Sequence, residues 1–185
     1  VGCCGNDLFA RTLEQALEAD DVDITGIRRI ENLATGTAAI LIQGGDNCIV
    51  ISPGANHAWG DPERSALERV LPGADFLMLQ LEIPLEAVKG AVETANRLGV
   101  PVLLNPAPAS PLPEHLLAGI SVLMPNETEA AMLTGLEVST LEGCRDAAYR
   151  LRAQGPGAVV ITRGGQGAFC SGGKGDFSVP AYPVT

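Results

Sequence analysis

The chain has 185 residues, enough for one well-buried domain and too few for two ordinary ones. Hydrophobic residues make up 46% and charged residues 18%, a composition that excludes a disordered or coiled-coil chain. Twelve basic and twenty-two acidic side chains give a net charge of −10, which makes nucleic acid a poor partner. No apolar run approaches the roughly 18 residues that a membrane span needs, so we expect a cytoplasmic protein and no membrane partner.

Cysteine and histidine usage argues against several kinds of site. The five cysteines are odd in number and lack CxxC spacing, which predicts free thiols rather than disulfides or a zinc site. The adjacent Cys3 and Cys4 are either reactive thiols or buried small residues beside a strand. Only His57 and His115 are present, so a Ser/His/Asp triad has little support.

The first predicted elements are a helix over residues 7–19, a β-hairpin and a second helix over 61–71. The hairpin joins strand-like runs at 37–42 and 48–52 through the polar turn 43–47. A β element inserted between helices is typical of a lid. The chain opens at Val1 without a methionine and stops abruptly at Thr185, so we expect an internal piece of a longer protein.

Strands and helices alternate between residues 70 and 162, which predicts βαβ units with a mostly parallel sheet. The predicted strands are 74–79, 100–104, 120–124 and 158–161, and the helices are 84–98, 126–133 and 140–154. A second hairpin is predicted at 167–171 and 176–179. The fold class is therefore α/β in a single domain.

Polar residues follow these strands, at the edge of the sheet where ligands collect in open α/β folds. Asn126 and Glu129 have the spacing of an N-cap and its capping-box partner, yet a carboxylate there could also hold a metal-bound water or orient a phosphate. The turn Thr162-x-Gly164-x-x-Gly167 is either a simple glycine turn or a phosphate cradle.

Two further polar positions have open interpretations. Glu82 is either a charge at a helix start or a pocket residue. Gly5-x-Asp7 is interpreted first as a turn and an N-cap. A dinucleotide-binding fold is excluded because no GxGxxG follows the first strand and opens a helix.

Taken in order, these segments resemble the ribokinase-like carbohydrate kinases of the pfkB family from end to end. The run 105–109 (Asn-Pro-Ala-Pro-Ala) followed by 125–130 (Pro-Asn-Glu-Thr-Glu-Ala) is typical of the ribokinase-like members. Further matching segments are 5–7, 23–25, 35–38, 53–56, 79–82 and 162–167. Ala10 stands where the family's first turn usually has glycine.

The resemblance implies a three-layer α/β/α ribokinase-like fold, incomplete here, with a β-sheet lid that includes residues 37–52. It implies ATP-dependent phosphorylation of a sugar, with D-ribose and its 5-hydroxyl as the expected substrate, and homodimerisation through the lid. Glu82 would bind the sugar. Asn126, Thr162, Gly164 and Gly167 would bind ATP, and Glu129 would hold magnesium through water. Potassium is the implied monovalent cation.

Two segments of the family pattern are not in these 185 residues: a Gly-Gly-Lys-Gly-Ala-Asn-type sugar segment and the Asp-Thr-x-Gly-Ala-Gly-Asp segment with the general base. We therefore assign no catalytic residue within this chain. Another sugar or nucleoside kinase of the same family remains an alternative, as does a non-catalytic remnant or binding module.

Overall fold

The structure is a computed structural model in which residues 1–43 and 46–183 are described. The chain divides into two compact units, one comprising residues 1–70 and 82–87 and the other residues 71–81 and 88–185. The expectation that they form one domain stays a prediction. The centre of the predicted lid turn, Gly44-Gly45, and the abrupt end at Val184-Thr185 lie outside the described residues.

The first unit contains two short β-sheets in its described part. Its elements are β1 (Gly2–Gly5), α1 (Leu8–Ala19), β2 (Ile27–Ile30), β3 (Thr37–Gln43), β4 (Asp46–Ser52), a 3₁₀ helix (Gly54–Ala58) and α2 (Asp61–Val70). Strand β1 pairs with β2 in parallel, whereas β3 and β4 form an antiparallel hairpin from Thr37↔Ser52 to Gln43↔Asp46. The predicted hairpin is confirmed.

The second unit is built on a mixed sheet. Its elements, with α3 shared between the units, are β5 (Leu77–Leu79), α3 (Leu85–Leu98), β6 (Val102–Leu104), α4 (Glu114–Leu117), β7 (Val122–Leu123), α5 (Glu127–Thr134), α6 (Leu141–Arg152), β8 (Ala158–Thr162), a 3₁₀ turn (Gly164–Gln166), β9 (Ala168–Gly172) and β10 (Gly175–Val179). Among described residues the order is β10-β9-β8-β7-β6-β5, with β5 to β8 parallel and β9 and β10 antiparallel. The mixed α/β architecture and mostly parallel sheet are as predicted.

Several predicted boundaries differ from the structure for clear physical reasons. The strand predicted as buried over 74–79 is confined to β5, where Leu77 is buried while Phe76 and Met78 are about half and two-thirds exposed. Successive side chains of a strand point to opposite faces of the sheet, so Leu77 faces the core while Phe76 and Met78 lie on the opposite face, which the described part of the chain leaves largely exposed. Strand β2 and helix α4 were not predicted, because four residues are too few for a periodic pattern.

The core of the second unit follows the predicted helix faces. In α3, Val88, Ala91, Val92 and Ala95 are buried as expected, whereas Leu98 at the end of the predicted stripe is 37% exposed. Helices α5 and α6 contact each other and β8. Helix α6 begins at the N-cap Thr140, whose hydroxyl accepts a hydrogen bond from the Gly143 amide.

The cysteines are free, as predicted, and Cys3 and Cys4 are buried. Burial, together with the neighbouring Glu63 carboxylate, raises the pKa of Cys3 to about 11, which makes it a poor nucleophile. Glu63 is itself buried, and Arg28 donates a bidentate pair of hydrogen bonds to it. Burial opposes its ionisation, but the bonds from Arg28 and the Gly60 amide outweigh it and lower the pKa of Glu63.

No helix in residues 1–43 or 46–183 combines the length and apolar character that a bilayer crossing requires.

Candidate functional site

In the first unit, Asp7 links the start of α1 to a distant loop. One carboxylate oxygen of Asp7, Oδ1, accepts from the Ala10 amide at 2.9 Å, so Asp7 is the N-cap that its sequence position predicted. The same carboxylate accepts from the amide and the hydroxyl of Thr35, both at 2.7 Å. The Gly5 amide in turn donates to the Thr35 hydroxyl at 3.0 Å. These bonds hold together two motif segments that lie 28 residues apart.

Glycines make this close approach of backbones possible. A Cβ on Gly5 would lie 2.4 Å from the Leu33 carbonyl oxygen, which no side chain tolerates. Gly54 has a φ of +50° and would place a Cβ 2.3 Å from the Ala34 carbonyl oxygen. The motif segments 5–7, 35–38 and 53–56 therefore meet at one place because glycine occupies the crossing points.

Replacing Asp7 with Asn is expected to reduce stability at neutral pH, because the amide group cannot accept from both the hydroxyl and the backbone amide of Thr35. Hydrogen bonds from Thr35 and Ala10 lower the pKa of Asp7 below 3.8, so its stabilising effect is present above that pH and is lost as the pH falls through the folded-state pKa. Urea unfolding at pH 7 and near pH 3 measures this effect. The difference in the free energy of unfolding between wild type and Asp7→Asn should be smaller near pH 3 than at pH 7. The control Asp20→Asn should unfold with the same free energy as wild type at both pH values. A gap that does not change with pH would contradict the assignment.

In the second unit, helix α5 begins with a complete capping box. The Asn126 side chain accepts from the Glu129 amide, and Glu129 Oε2 accepts from the Asn126 amide, each at 2.8 Å. The capping interpretation of this spacing is therefore confirmed. Asn126 is exposed and Glu129 is partly exposed, so the same two side chains also face solvent at the positive end of the helix dipole.

The turn after β8 is a tight loop of glycines. Gly164 has a φ of +50° and Gly167 a φ of +88°. The turn closes through bonds from the Arg163 amide to the Gly167 carbonyl at 2.8 Å and from the Gly167 amide to the Gly164 carbonyl at 3.0 Å. Among the described residues, no backbone carbonyl accepts a hydrogen bond from the Gly164 or Gly165 amide. Both glycines are exposed, and a Cβ at either position would meet nothing within 4 Å, so the turn has open space around it for a ligand.

The structure brings the helix start and the glycine turn side by side. Asn126 and Thr162 pair as an isolated parallel bridge, and the Thr162 amide donates to the Pro125 carbonyl at 3.0 Å. Five predicted site residues thus lie close together where β7 and β8 end, and they are called the gathered site below: Asn126, Glu129, Thr162, Gly164 and Gly167. Glu82 belongs to the first unit, where it is exposed just before α3.

One ion pair beside the predicted site residues was not anticipated from the sequence. Arg163 Nε donates to Glu127 Oε1 at 3.3 Å, with the Arg163 side chain only 11% exposed and Glu127 34% exposed. The pair joins the glycine turn to the first turn of α5. The sequence does contain a signal for this pair. Glu127 directly follows the expected site residue Asn126, Arg163 directly follows the expected site residue Thr162, and the two charges are opposite in sign.

A cluster of metal-ligating side chains is not found: among the described residues no three His, Cys, Asp or Glu come close enough to hold an ion. Mg²⁺ usually keeps several waters and binds one or two carboxylates together with substrate phosphates. A single carboxylate such as Glu129, beside a turn suited to phosphate, fits that arrangement.

One cavity of the second unit is lined by none of the predicted site residues. A cavity of about 340 Å³ in the second unit is lined by the segment 109–112 and by side chains of α4, α5 and α6, among them Leu117, Met132 and Leu151. None of the predicted site residues contributes to it.

Comparison with known proteins identifies the family. The model of the pfkB family carbohydrate kinases matches residues 1–185. The chain belongs to this family. It is 39% identical over 180 residues to a ribokinase of Schizosaccharomyces pombe, covering 95% of this chain and 57% of the relative. It is 37% identical over 172 residues to a ribokinase of Haemophilus influenzae, covering 92% of this chain and 56% of the relative.

The fold is shared with a solved ribokinase structure. A structure of Arabidopsis thaliana ribokinase complexed with ribose and ATP is 29% identical, with a TM-score of 0.88, and the match covers all of this chain and 61% of the other. The predicted ribokinase-like fold is therefore confirmed. The chain spans less than three fifths of the length of the two curated ribokinases.

Proposed function

We propose that the whole protein is an ATP-dependent sugar kinase that converts D-ribose to D-ribose 5-phosphate. Family membership over residues 1–185 and the two ribokinase relatives support phosphoryl transfer to a sugar. The observation that carries the proposal is the pairing of Asn126 with Thr162, which puts a helix N-terminus and a glycine turn side by side. Both features suit phosphate, since each presents backbone N–H groups to an anion.

Each residue of the gathered site has a proposed role toward ATP. The amides of Gly164 and Gly165 donate to phosphate oxygens, and the positive φ of Gly164 and Gly167 gives the turn the shape that exposes them. Thr162 and Asn126 contribute a hydroxyl and a carboxamide beside the turn. Positioning and charge stabilisation of this kind account for most of the catalysis of phosphoryl transfer.

Magnesium is part of the proposal, held by Glu129 through water. The ion would neutralise charge on the phosphates when bound. The free lone pairs of the Glu129 carboxylate suit a metal-bound water, because Oε2 accepts one backbone hydrogen bond and each carboxylate oxygen has two acceptor sites. Potassium, implied by the family resemblance, is the proposed monovalent cation.

For the sugar, the proposed contact in this chain is Glu82. It is exposed in the connection between β5 and α3, and a carboxylate accepts hydrogen bonds from sugar hydroxyls. No residue of this chain is proposed as the general base that takes the hydroxyl proton. A cytoplasmic location, where ATP is abundant, belongs to the same proposal.

A homodimer through the β3–β4 hairpin is the proposed assembly. The register places Ile40, Ile42, Ile49 and Ile51 on one face of the ribbon, and Leu41 and Val50 on the other. All six are about half exposed or more. Because both faces of the β3–β4 hairpin are apolar, each face needs another part of the assembly packed against it. The hairpin of a second subunit can pack against one of the two faces.

We expect the whole protein to sediment as a dimer, and a charged residue on the subunit-facing side of the hairpin to shift it to a monomer. Sedimentation of Ile40→Asp and Leu41→Asp, one for each face, makes the measurement, and Leu8→Asp on the exposed side of α1 is the control. A wild-type protein that sediments as a monomer at micromolar concentration would contradict the dimer.

ADP formation by the whole protein, measured with a panel of pentoses, hexoses, deoxyribose and nucleosides, tests the substrate. The proposal expects the highest kcat/KM with D-ribose. A clear preference for a deoxyribose or a nucleoside would reassign the substrate within the family. Absence of turnover with every acceptor, in a protein that is folded, would favour a non-catalytic binding role.

A further inference from the structure

The Glu127–Arg163 ion pair lies between the two halves of the gathered site. Glu127 is the first residue of α5, immediately after the N-cap Asn126. Arg163 immediately follows Thr162, the last residue of β8. The Arg163 side chain is nearly buried, so its charge depends on a specific partner rather than on water.

Arg163 belongs to the turn as well as to the ion pair. Its amide closes the turn onto the Gly167 carbonyl, and its own carbonyl accepts from the Gln166 amide at 3.0 Å. The ion pair with Glu127 therefore anchors the same residue whose backbone closes the turn that carries Gly164 and Gly165. On its other side the guanidinium lies close to the buried Cys144 of α6, whose raised pKa reflects burial, partly offset by the nearby Arg163.

Charge gives the pair a second role. The first turn of α5 carries two carboxylates, Glu127 and Glu129. An anion at the neighbouring turn is repelled by every uncompensated carboxylate, and at partly buried positions that repulsion is stronger than in bulk water. Because Arg163 neutralises Glu127, Glu129 is left as the one uncompensated carboxylate of this turn of the helix.

We propose that Arg163 and Glu127 are positioning residues for the nucleotide: their ion pair fixes the glycine turn against α5 and cancels a carboxylate that would repel the triphosphate. This inference rests on the proposed function, since it assigns to the pair a role in binding ATP. Neither residue is a catalytic residue, because both act through the backbone amides of the turn and through the local charge.

Binding of ATP to the whole protein, measured by calorimetry together with KM and kcat, separates this role from a purely structural one. Arg163→Met is expected to raise the KM for ATP about 10-fold, with the KM for the sugar unchanged, because it leaves Glu127 uncompensated. Adding Glu127→Gln to Arg163→Met removes that charge and should recover a large part of the affinity. The control Arg145→Met, in the more exposed pair between α6 and Asp176, should leave the KM for ATP unchanged.

The single variant Glu127→Gln tests the proposed role in ATP binding even if Arg163→Met fails to fold. Its amide oxygen still accepts from Arg163, but the arginine charge is no longer cancelled, so ATP should bind about 2- to 3-fold more tightly. ATP affinity in Glu127→Gln that is unchanged or weaker would overturn the proposal, and so would a double variant no better than Arg163→Met. Wild-type protein that binds no ATP would instead refute the proposed function, and this inference with it.

Discussion

Replacement of Glu129 with Gln in the whole protein is expected to lower kcat about 100-fold, which is the size of effect seen when one electrostatic contributor to a transition state is removed. In the wild-type chain the Asn126 amide donates to Glu129 Oε2 at 2.8 Å. Gln has the same side-chain length and an amide oxygen that can accept this hydrogen bond. The capping box and the fold should therefore persist. Only the negative charge available to a metal-bound water is lost.

Turnover measured across magnesium concentrations reports this loss, and the midpoint of thermal unfolding reports the fold. Glu142→Gln, in the first turn of α6, is a matched control because it changes the same type of residue at a helix start outside the gathered site. Kinetics of Glu129→Gln that match wild type at every magnesium concentration would contradict a metal role and leave the carboxylate as a cap alone.

Replacement of Gly167 with Ala is expected to destabilise the protein by about 3–4 kcal/mol, at the upper end of single-residue effects. Its φ of +88° disfavours any residue with a Cβ, and a Cβ there would lie 1.9 Å from the Val179 carbonyl oxygen. The Val179 carbonyl oxygen is a backbone atom at the end of β10, so it cannot move aside by a change of side-chain rotamer. Relief requires the turn to separate from β10.

Two alanine variants separate steric overlap from backbone strain in this measurement. Gly164 has a φ of +50° with open space, so Gly164→Ala should cost only about 1–2 kcal/mol. Gly173→Ala has open space and an ordinary φ, and should change stability little. Urea unfolding measures all three. Equal losses at Gly164 and Gly167 would contradict the close contact with Val179.

Local chemistry made most of the second unit predictable. Asn126 and Glu129 form a capping box because the bonds involved span three residues, so spacing alone specifies them. The α3 face was predictable for the same reason, since residues three and four apart share one side of a helix. The alternation of strands and helices likewise indicated the parallel strands of the sheet.

Contacts that depend on strand register were beyond local reasoning. Glu127 and Arg163 meet only because the end of β7 lies beside the end of β8, and the bonds of Asp7 to Thr35 cross 28 residues. Strand β2 was missed since Ile27-Arg28-Arg29-Ile30 places two charged residues in a strand of four. Arg28 is accommodated there by the buried Glu63, a partner 35 residues away.

The measurement that tests the central claim most directly is ³¹P NMR of the whole protein's reaction with ATP, magnesium and D-ribose. The account predicts that the γ-phosphoryl signal of ATP disappears as ADP and a ribose 5-phosphate monoester appear in equal amounts, and that omitting ribose abolishes the reaction. ATP consumed only to inorganic phosphate, or no phosphate monoester with any sugar, would contradict the assignment of this chain to a working sugar kinase.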